Sequence, residues 1–214
     1  YEVKIADKVI GNKRSLFTIA EIGINHNGSL KIAKKLIDEA KKAGFSAVKF
    51  QTYLTDDLVI KNTNLVKYQN KTNFHDMKSL LNNCNLTFND FEKLKNYCKI
   101  KKIIFLSTPF DIKSAIFLNQ LNLPAFKVSS GDFDNHILIN LLKKFNKPLI
   151  LSTGMSNLKE IKKNLKIFKI RKNNLILLHC VSDYPTSIKN SNLNNIPKIE
   201  NLGYLTGYSD HTIG

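Results

Sequence analysis

The chain alternates short, nearly continuous apolar runs with longer stretches in which apolar residues recur every three or four positions. The first kind reads as strands buried on both faces, the second as amphipathic helices. The opening VKIADKVIGN alternates around a polar turn and predicts a short β-hairpin. After it, LFTIAEIGI (16–24), SAVKFQT (46–52), IIFLST (103–108), AFKVSS (125–130), PLILST (148–153), LILLHC (175–180) and YLTGYS (204–209) are predicted strands. Helices are predicted over 30–43, ended by Gly44, and over 75–82, 88–101, 111–121, 135–145 and 157–169. Residues 53–74 read as a polar loop, and 190–199 as loop or helix. Repeated βα units with all strands parallel predict an α/β fold, either an open doubly wound sheet or a (β/α)8 TIM barrel. No G-x-G-x-x-G follows the first strand, which removes the dinucleotide signature. No low-complexity linker or break in composition interrupts the pattern, so one domain is expected over 1–214.

Composition narrows the partners. With 43% hydrophobic and 23% charged residues, wholesale disorder is excluded. No apolar run reaches the roughly 18 residues of a membrane span, and no basic-then-apolar leader is visible, so a cytoplasmic protein with no membrane partner is expected. The net charge of +16 invites a nucleic-acid reading. However, all but two of the 33 basic residues are lysine, the exceptions being Arg14 and Arg171. Arginine supplies the commonest base contacts and the best bidentate phosphate contacts. The lysines spread along helical stretches such as 31–42 and 159–172, the pattern of a solvated surface rather than a polyanion site. Cys84, Cys98 and Cys180 are odd in number and form no C-x-x-C pair. That argues against a disulfide framework or a cysteine-rich zinc site and fits a reducing compartment.

The candidate chemistry lies where the strands end. Glu21 is inside the first strand of the series, Lys49 and Gln51 end the second, and Ser107 and Thr108 close the third. Lys127, Ser129 and Ser130 close the fourth, with Asp132 just beyond. Ser152 and Thr153, His179 and Cys180, then Ser209, Asp210 and His211 close the last three. Seven strands delivering polar groups at one end point to a catalytic mouth, which a parallel barrel keeps at the C-terminal ends of its strands. Lys49 and Lys127 sit in apolar strands, where an ammonium is costly unless paired. Each is either a snorkelling or ion-paired lysine, or one of two converging on an anionic substrate. Hydroxyls at Thr108, Ser130, Ser152 and Ser209 would serve the same anion, and a small phosphorylated acid fits the mixture. Glu21 is either a structural salt-bridge partner or catalytic. Asp132 either caps the next helix or acts as a general base or sugar-hydroxyl acceptor. Among the histidines, His75 and His136 are expected on the surface and His26 at the mouth. His179 is in the core or the mouth, and His211 is the best metal-ligand candidate. No histidine pair has metal-site spacing.

IAEIGINHNGSL, AVKFQT, FLSTPFD, FKVSSGD, LILSTGM, LLHCVSDYPT and GYSDHTIG occur in this order. Together they resemble the N-acetylneuraminate (sialic acid) synthase family over nearly the whole chain. The resemblance implies a (β/α)8 barrel followed by a small antifreeze-like domain. It also implies condensation of phosphoenolpyruvate with an N-acetylmannosamine-type sugar, releasing phosphate with the help of manganese or a similar divalent ion. By the same resemblance Lys49, Thr108, Lys127, Ser130, Ser152 and Ser209 hold phosphoenolpyruvate, and His211 is one of two histidine metal ligands. Glu21 matches a catalytic carboxylate. Asp132 takes the place of an acidic residue of proton transfer or sugar contact, and Gln51 and Tyr184 match the sugar site. Ser182 stands where the family often has an asparagine near phosphoenolpyruvate.

The family's second histidine, its eighth βα unit and its C-terminal domain are not found among the 214 residues. The expectation is therefore a barrel cut after strand seven, inactive alone, from a homodimeric parent. The sequence leaves open a legionaminic or pseudaminic acid synthase, an inactive barrel fragment, and a basic nucleic-acid-binding protein that would leave the strand-end motifs unexplained.

Overall fold

The computed structural model describes residues 1–60, 63–65 and 74–213. Strands β1 (Glu2–Ile5) and β2 (Lys8–Gly11) form the predicted antiparallel hairpin, with Val3 and Ile5 turned into the core. The remaining seven strands are parallel to their partners, in two sheets belonging to two compact units.

The unit formed by 17–123 is built on β3 (Ile19–Gly23), β4 (Ala47–Thr52) and β5 (Ile104–Pro109), in that order. Helix α1 (Leu30–Lys42) starts where the Ser29 side chain accepts the Ile32 N–H, and it buries Ala33, Ile37 and Ala40. That i, i+4, i+7 stripe is the predicted amphipathic face. The loop expected over 53–74 contains a short helix, α2 (Thr55–Leu58), while 61–62 and 66–73 lie outside the described residues. Asp56 and Asp57 sit in its first turn, where carboxylates favour a helix N-terminus. Helices α3 (Met77–Asn83) and α4 (Phe88–Lys101) open with capping boxes, Asp76 with Ser79 and Thr87 with Asp90. Helix α5 (Ile112–Gln120) is capped by Asp111. Phe50 of β4 is fully buried, edge-on to Phe91 of α4 and 5.5 Å from Phe105. Successive strand residues face opposite ways, so Lys49 and Gln51 project from the other face.

The unit formed by 1–16 and 124–214 carries β6 (Phe126–Val128), β7 (Leu149–Ser152), β8 (Leu175–His179) and β9 (Leu205–Tyr208), again in sequence order. Helix α6 (His136–Lys144) is capped by Asn135, and α7 (Leu158–Phe168) by Asn157 in a capping box with Glu160. The ambiguous 190–199 stretch resolves into a 3-10 turn at Ile188–Asn190 and α8 (Asn195–Glu200).

Four expectations are corrected here. Ser130 is not a strand residue, because β6 stops at Val128 and Ser130–Asp132 form a 3-10 turn. Asp132 does not cap the following helix; Asn135 does, because its side-chain oxygen accepts the Leu138 N–H. His136 is only half exposed, bonding Asn164 at 3.2 Å with its ring against Phe168, since the first turn of α6 packs on α7. His26 is buried, in the β3–α1 loop with its ring 5.9 Å from that of Phe50. No helix among the described residues is long and apolar enough to cross a membrane.

Candidate functional site

In the 17–123 unit, parallel register sets Glu21 beside Lys49. The Lys49 ammonium is buried and lies 2.6 Å from Glu21 Oε2, and it donates to Thr108 Oγ1 at 3.1 Å. The pair is asymmetric, with 52% of the Glu21 side chain exposed against 8% for Lys49. The carboxylate faces solvent while the ammonium is shielded. An ammonium has three N–H donors, and Glu21 and Thr108 engage two of them. A register irregularity between Glu21 and Gly23 turns the strand end, and Gly23 has φ +54. A Cβ there would lie 3.3 Å from Glu21 Oε1 and 3.6 Å from Gln51 Nε2, which places Gln51 at the same strand end as the Glu21 carboxylate. The ion pair expected as one reading of Lys49 therefore forms, with Glu21 as its carboxylate.

In the other unit, Lys127 is opposite Ile150 in register, and Ser152 follows two residues on along the same face of β7. The buried Lys127 ammonium donates to Ser152 Oγ and, at 3.0 Å, to the Val128 carbonyl. Ser130 Oγ accepts the Gly154 N–H at 3.1 Å and lies 3.1 Å from Cys180 Sγ. Gly154 is obligatory for this closeness: a Cβ there would fall 2.8 Å from Cys180 Sγ and 2.9 Å from both Cys180 O and Ser182 Oγ. Asp132 is half-buried and held by its own turn, with Oδ2 accepting from Ser129 Oγ and Oδ1 from Asn135 Nδ2. Ser182 and Tyr184 are exposed, and the Tyr184 ring lies 4.3 Å from that of His211.

The two strand-end histidines differ. His179 Nε2 bonds the Ser191 carbonyl and its ring stacks on Tyr208, so it is a satisfied core histidine. His211 Nδ1 lies 2.6 Å from the Val181 carbonyl, which can only accept, so Nδ1 carries the ring proton. Nε2 then presents a lone pair, toward Ser209 Oγ at 3.3 Å. A carbonyl holding one ring nitrogen is the usual support of a metal-ligating histidine, so His211 fits a single-ligand role. Among the described residues no group of three His, Cys, Asp or Glu gathers around it or elsewhere.

Gly154 and Cys180 are functional-site neighbours that sequence patterns mark only by the TGM triplet and the HC pair. His26 carries a separate consequence. Burial pushes its pKa down to about 4 against a smaller opposing contribution from the Gly23 backbone, and Nδ1 accepts the Gly28 N–H. Between its ordinary value near 6.5 and about 4, the unfolded chain binds a proton that the folded one refuses. Stability is therefore present above that window and lost as pH falls through it, by about 3 kcal/mol. Urea unfolding at pH 7.5 and pH 4.5 should show this loss in the protein and a much smaller one in His26→Gln; equal losses in both would refute the assignment.

Comparison with known proteins gives a family. Residues 36–214 match the model of the NeuB family. The chain is 42% identical to an uncharacterised protein of Methanocaldococcus jannaschii over 100% of this chain and 60% of that protein. It is 39% identical to the N,N'-diacetyllegionaminic acid synthase of Campylobacter jejuni, over 92% of this chain and 60% of that enzyme. The crystal structure of an N-acetylneuraminic acid synthetase from Leptospira borgpetersenii superposes with a TM-score of 0.89 at 32% identity, covering 100% of this chain and 71% of that one. The chain thus spans about 60% of the length of these two curated relatives.

Proposed function

Because the chain belongs to the NeuB family, we propose that the full-length protein condenses phosphoenolpyruvate with an N-acetylated amino-sugar and water. The products are a nonulosonic acid and phosphate, made for a surface polysaccharide such as lipopolysaccharide or capsule. The observation that carries this reading is the pair of buried strand lysines, each bonded to a hydroxyl at the end of the neighbouring strand. Nucleic-acid binding needs no such burial, and a solvated basic surface does not produce it.

In the proposed reaction, C3 of phosphoenolpyruvate bonds to the aldehyde carbon of the open-chain sugar. Water adds at C2 of the resulting oxocarbenium, and the C2–O bond to phosphate then breaks. Lys49 and Lys127 neutralise the phosphate and carboxylate charges, with Thr108, Ser130, Ser152, Ser182 and Ser209 as neutral donors. Preorganised charge of this kind stabilises a transition state at little reorganisation cost. Glu21, half in water, accepts the proton of the adding water. Gln51 and Tyr184 contact the sugar. Asp132, already oriented by Ser129 and Asn135, suits a hydroxyl acceptor there. His211 would hold a divalent ion, manganese in this proposal. When bound, such an ion orients and polarises the aldehyde.

The proposal includes a (β/α)8 architecture, a transferase working as a cytoplasmic homodimer, and N-acetylmannosamine as the acceptor. The second reading, an acceptor leading to N,N'-diacetyllegionaminic acid, is favoured by the 39% identity to the Campylobacter enzyme. Calorimetric titration of the full-length protein with phosphoenolpyruvate, with and without manganese, tests the substrate. Saturable binding is expected, and its absence under both conditions would refute the reading. Product analysis with the candidate sugars separates the two acceptors.

A further inference from the structure

We propose that Cys180 is a positioning residue whose thiol holds Ser130 in register and exchanges donor and acceptor roles with it when an anion binds. The proposal rests on the reading of Ser130 as a phosphoenolpyruvate contact. A serine hydroxyl has one proton and two lone pairs. Ser130 Oγ spends one lone pair on the Gly154 N–H at 3.1 Å, and its other close neighbour is Cys180 Sγ, also at 3.1 Å. Without a ligand, the Ser130 O–H can point at sulfur. An oxygen of phosphate or carboxylate only accepts, so a bound anion takes that proton. The one bond then left between the two side chains runs from S–H to the remaining lone pair of Ser130 Oγ.

A thiol can play both parts, a serine at the same position can, and an alanine can play neither. The sulfur is also fixed in place. It is 3% exposed, and the Gly154 backbone presses so closely that even a methyl group there would fall 2.8 Å from it. The Gly154 amide and the Cys180 thiol thus hold Ser130 between two adjacent strand ends, with its hydroxyl proton free to turn to a ligand.

The test compares wild type, Cys180→Ala and Cys180→Ser in the full-length protein. Phosphoenolpyruvate affinity and KM should weaken about three- to tenfold in Cys180→Ala, the range for one lost neutral hydrogen bond. At saturating phosphoenolpyruvate kcat should stay within about twofold, and Cys180→Ser should recover most of the affinity. The S–H stretching band that disappears in Cys180→Ala should move to lower frequency when phosphoenolpyruvate is added to wild type, because the thiol becomes a donor. Wild-type affinity in Cys180→Ala, no rescue by Cys180→Ser, or an unmoved S–H band would overturn the proposal while leaving the substrate reading intact. A wild type that binds no phosphoenolpyruvate would overturn the substrate reading and this proposal together.

Discussion

Replacing Lys127 by Ala should lower kcat/KM for phosphoenolpyruvate by about a thousandfold or more and raise its KM. The ammonium is buried at the end of β6, and its bonds to Ser152 Oγ and the Val128 carbonyl aim it along one face of the sheet. A charge held that way needs no solvent rearrangement when negative charge shifts onto a leaving phosphate. Water entering an alanine-sized gap would supply dipoles that must first reorient. Lys127→Met is the informative companion, because it keeps the buried stem and loses the charge together with its N–H donors. Both variants should be similarly impaired in steady-state kinetics, whatever their stability. An unchanged KM in either would count against Lys127 as a phosphoenolpyruvate contact, and activity retained by Lys127→Met would count against any electrostatic role.

Gly28→Ala should cost about 3–5 kcal/mol of stability, the largest effect expected outside the site. Gly28 has φ +71, a conformation L side chains rarely adopt, and a Cβ there would lie 2.4 Å from the Asn83 carbonyl oxygen at the end of α3. The contact is backbone against backbone, so no flexible side chain can yield, and either the loop or the helix end must move. The Gly28 N–H also supports His26 Nδ1, so movement would disturb the buried ring as well. Urea denaturation should show a lower midpoint with an unchanged slope. A loss under about 1 kcal/mol would mean that the loop relaxes freely and that this glycine is not required.

Why some of this was legible in the sequence and some was not has physical causes. The helices were readable because their ends are written locally. Ser29, Thr87, Asn135 and Asn157 cap α1, α4, α6 and α7 within a residue or so of the predicted starts. Strands β4 to β8 were readable because burial along nearly their whole length leaves a continuous apolar run. That a lysine in an apolar strand needs a partner was readable, but which carboxylate pairs with Lys49 was not, and only the β3–β4 register names Glu21. Three things were not carried by the hydrophobic pattern. His26 reads as a loop residue yet is buried, with its ring against that of Phe50. Asp132 does not cap the helix, because its carboxylate accepts from Ser129 Oγ and Asn135 Nδ2, while Asn135 sits directly before the first helical residue. The Ser130–Gly154–Cys180 contact joins residues 24 to 50 positions apart, and only the parallel register of β6, β7 and β8 brings them together.

Phosphate release by the purified full-length protein, measured with phosphoenolpyruvate, an N-acetylated amino-sugar and manganese together and with each left out in turn, tests the central claim most directly. The account predicts release that requires both substrates and is matched mole for mole by a nonulosonic acid. Release that ignores the sugar, or none with any of the N-acetylmannosamine, legionaminic-type or pseudaminic-type acceptors, would contradict it.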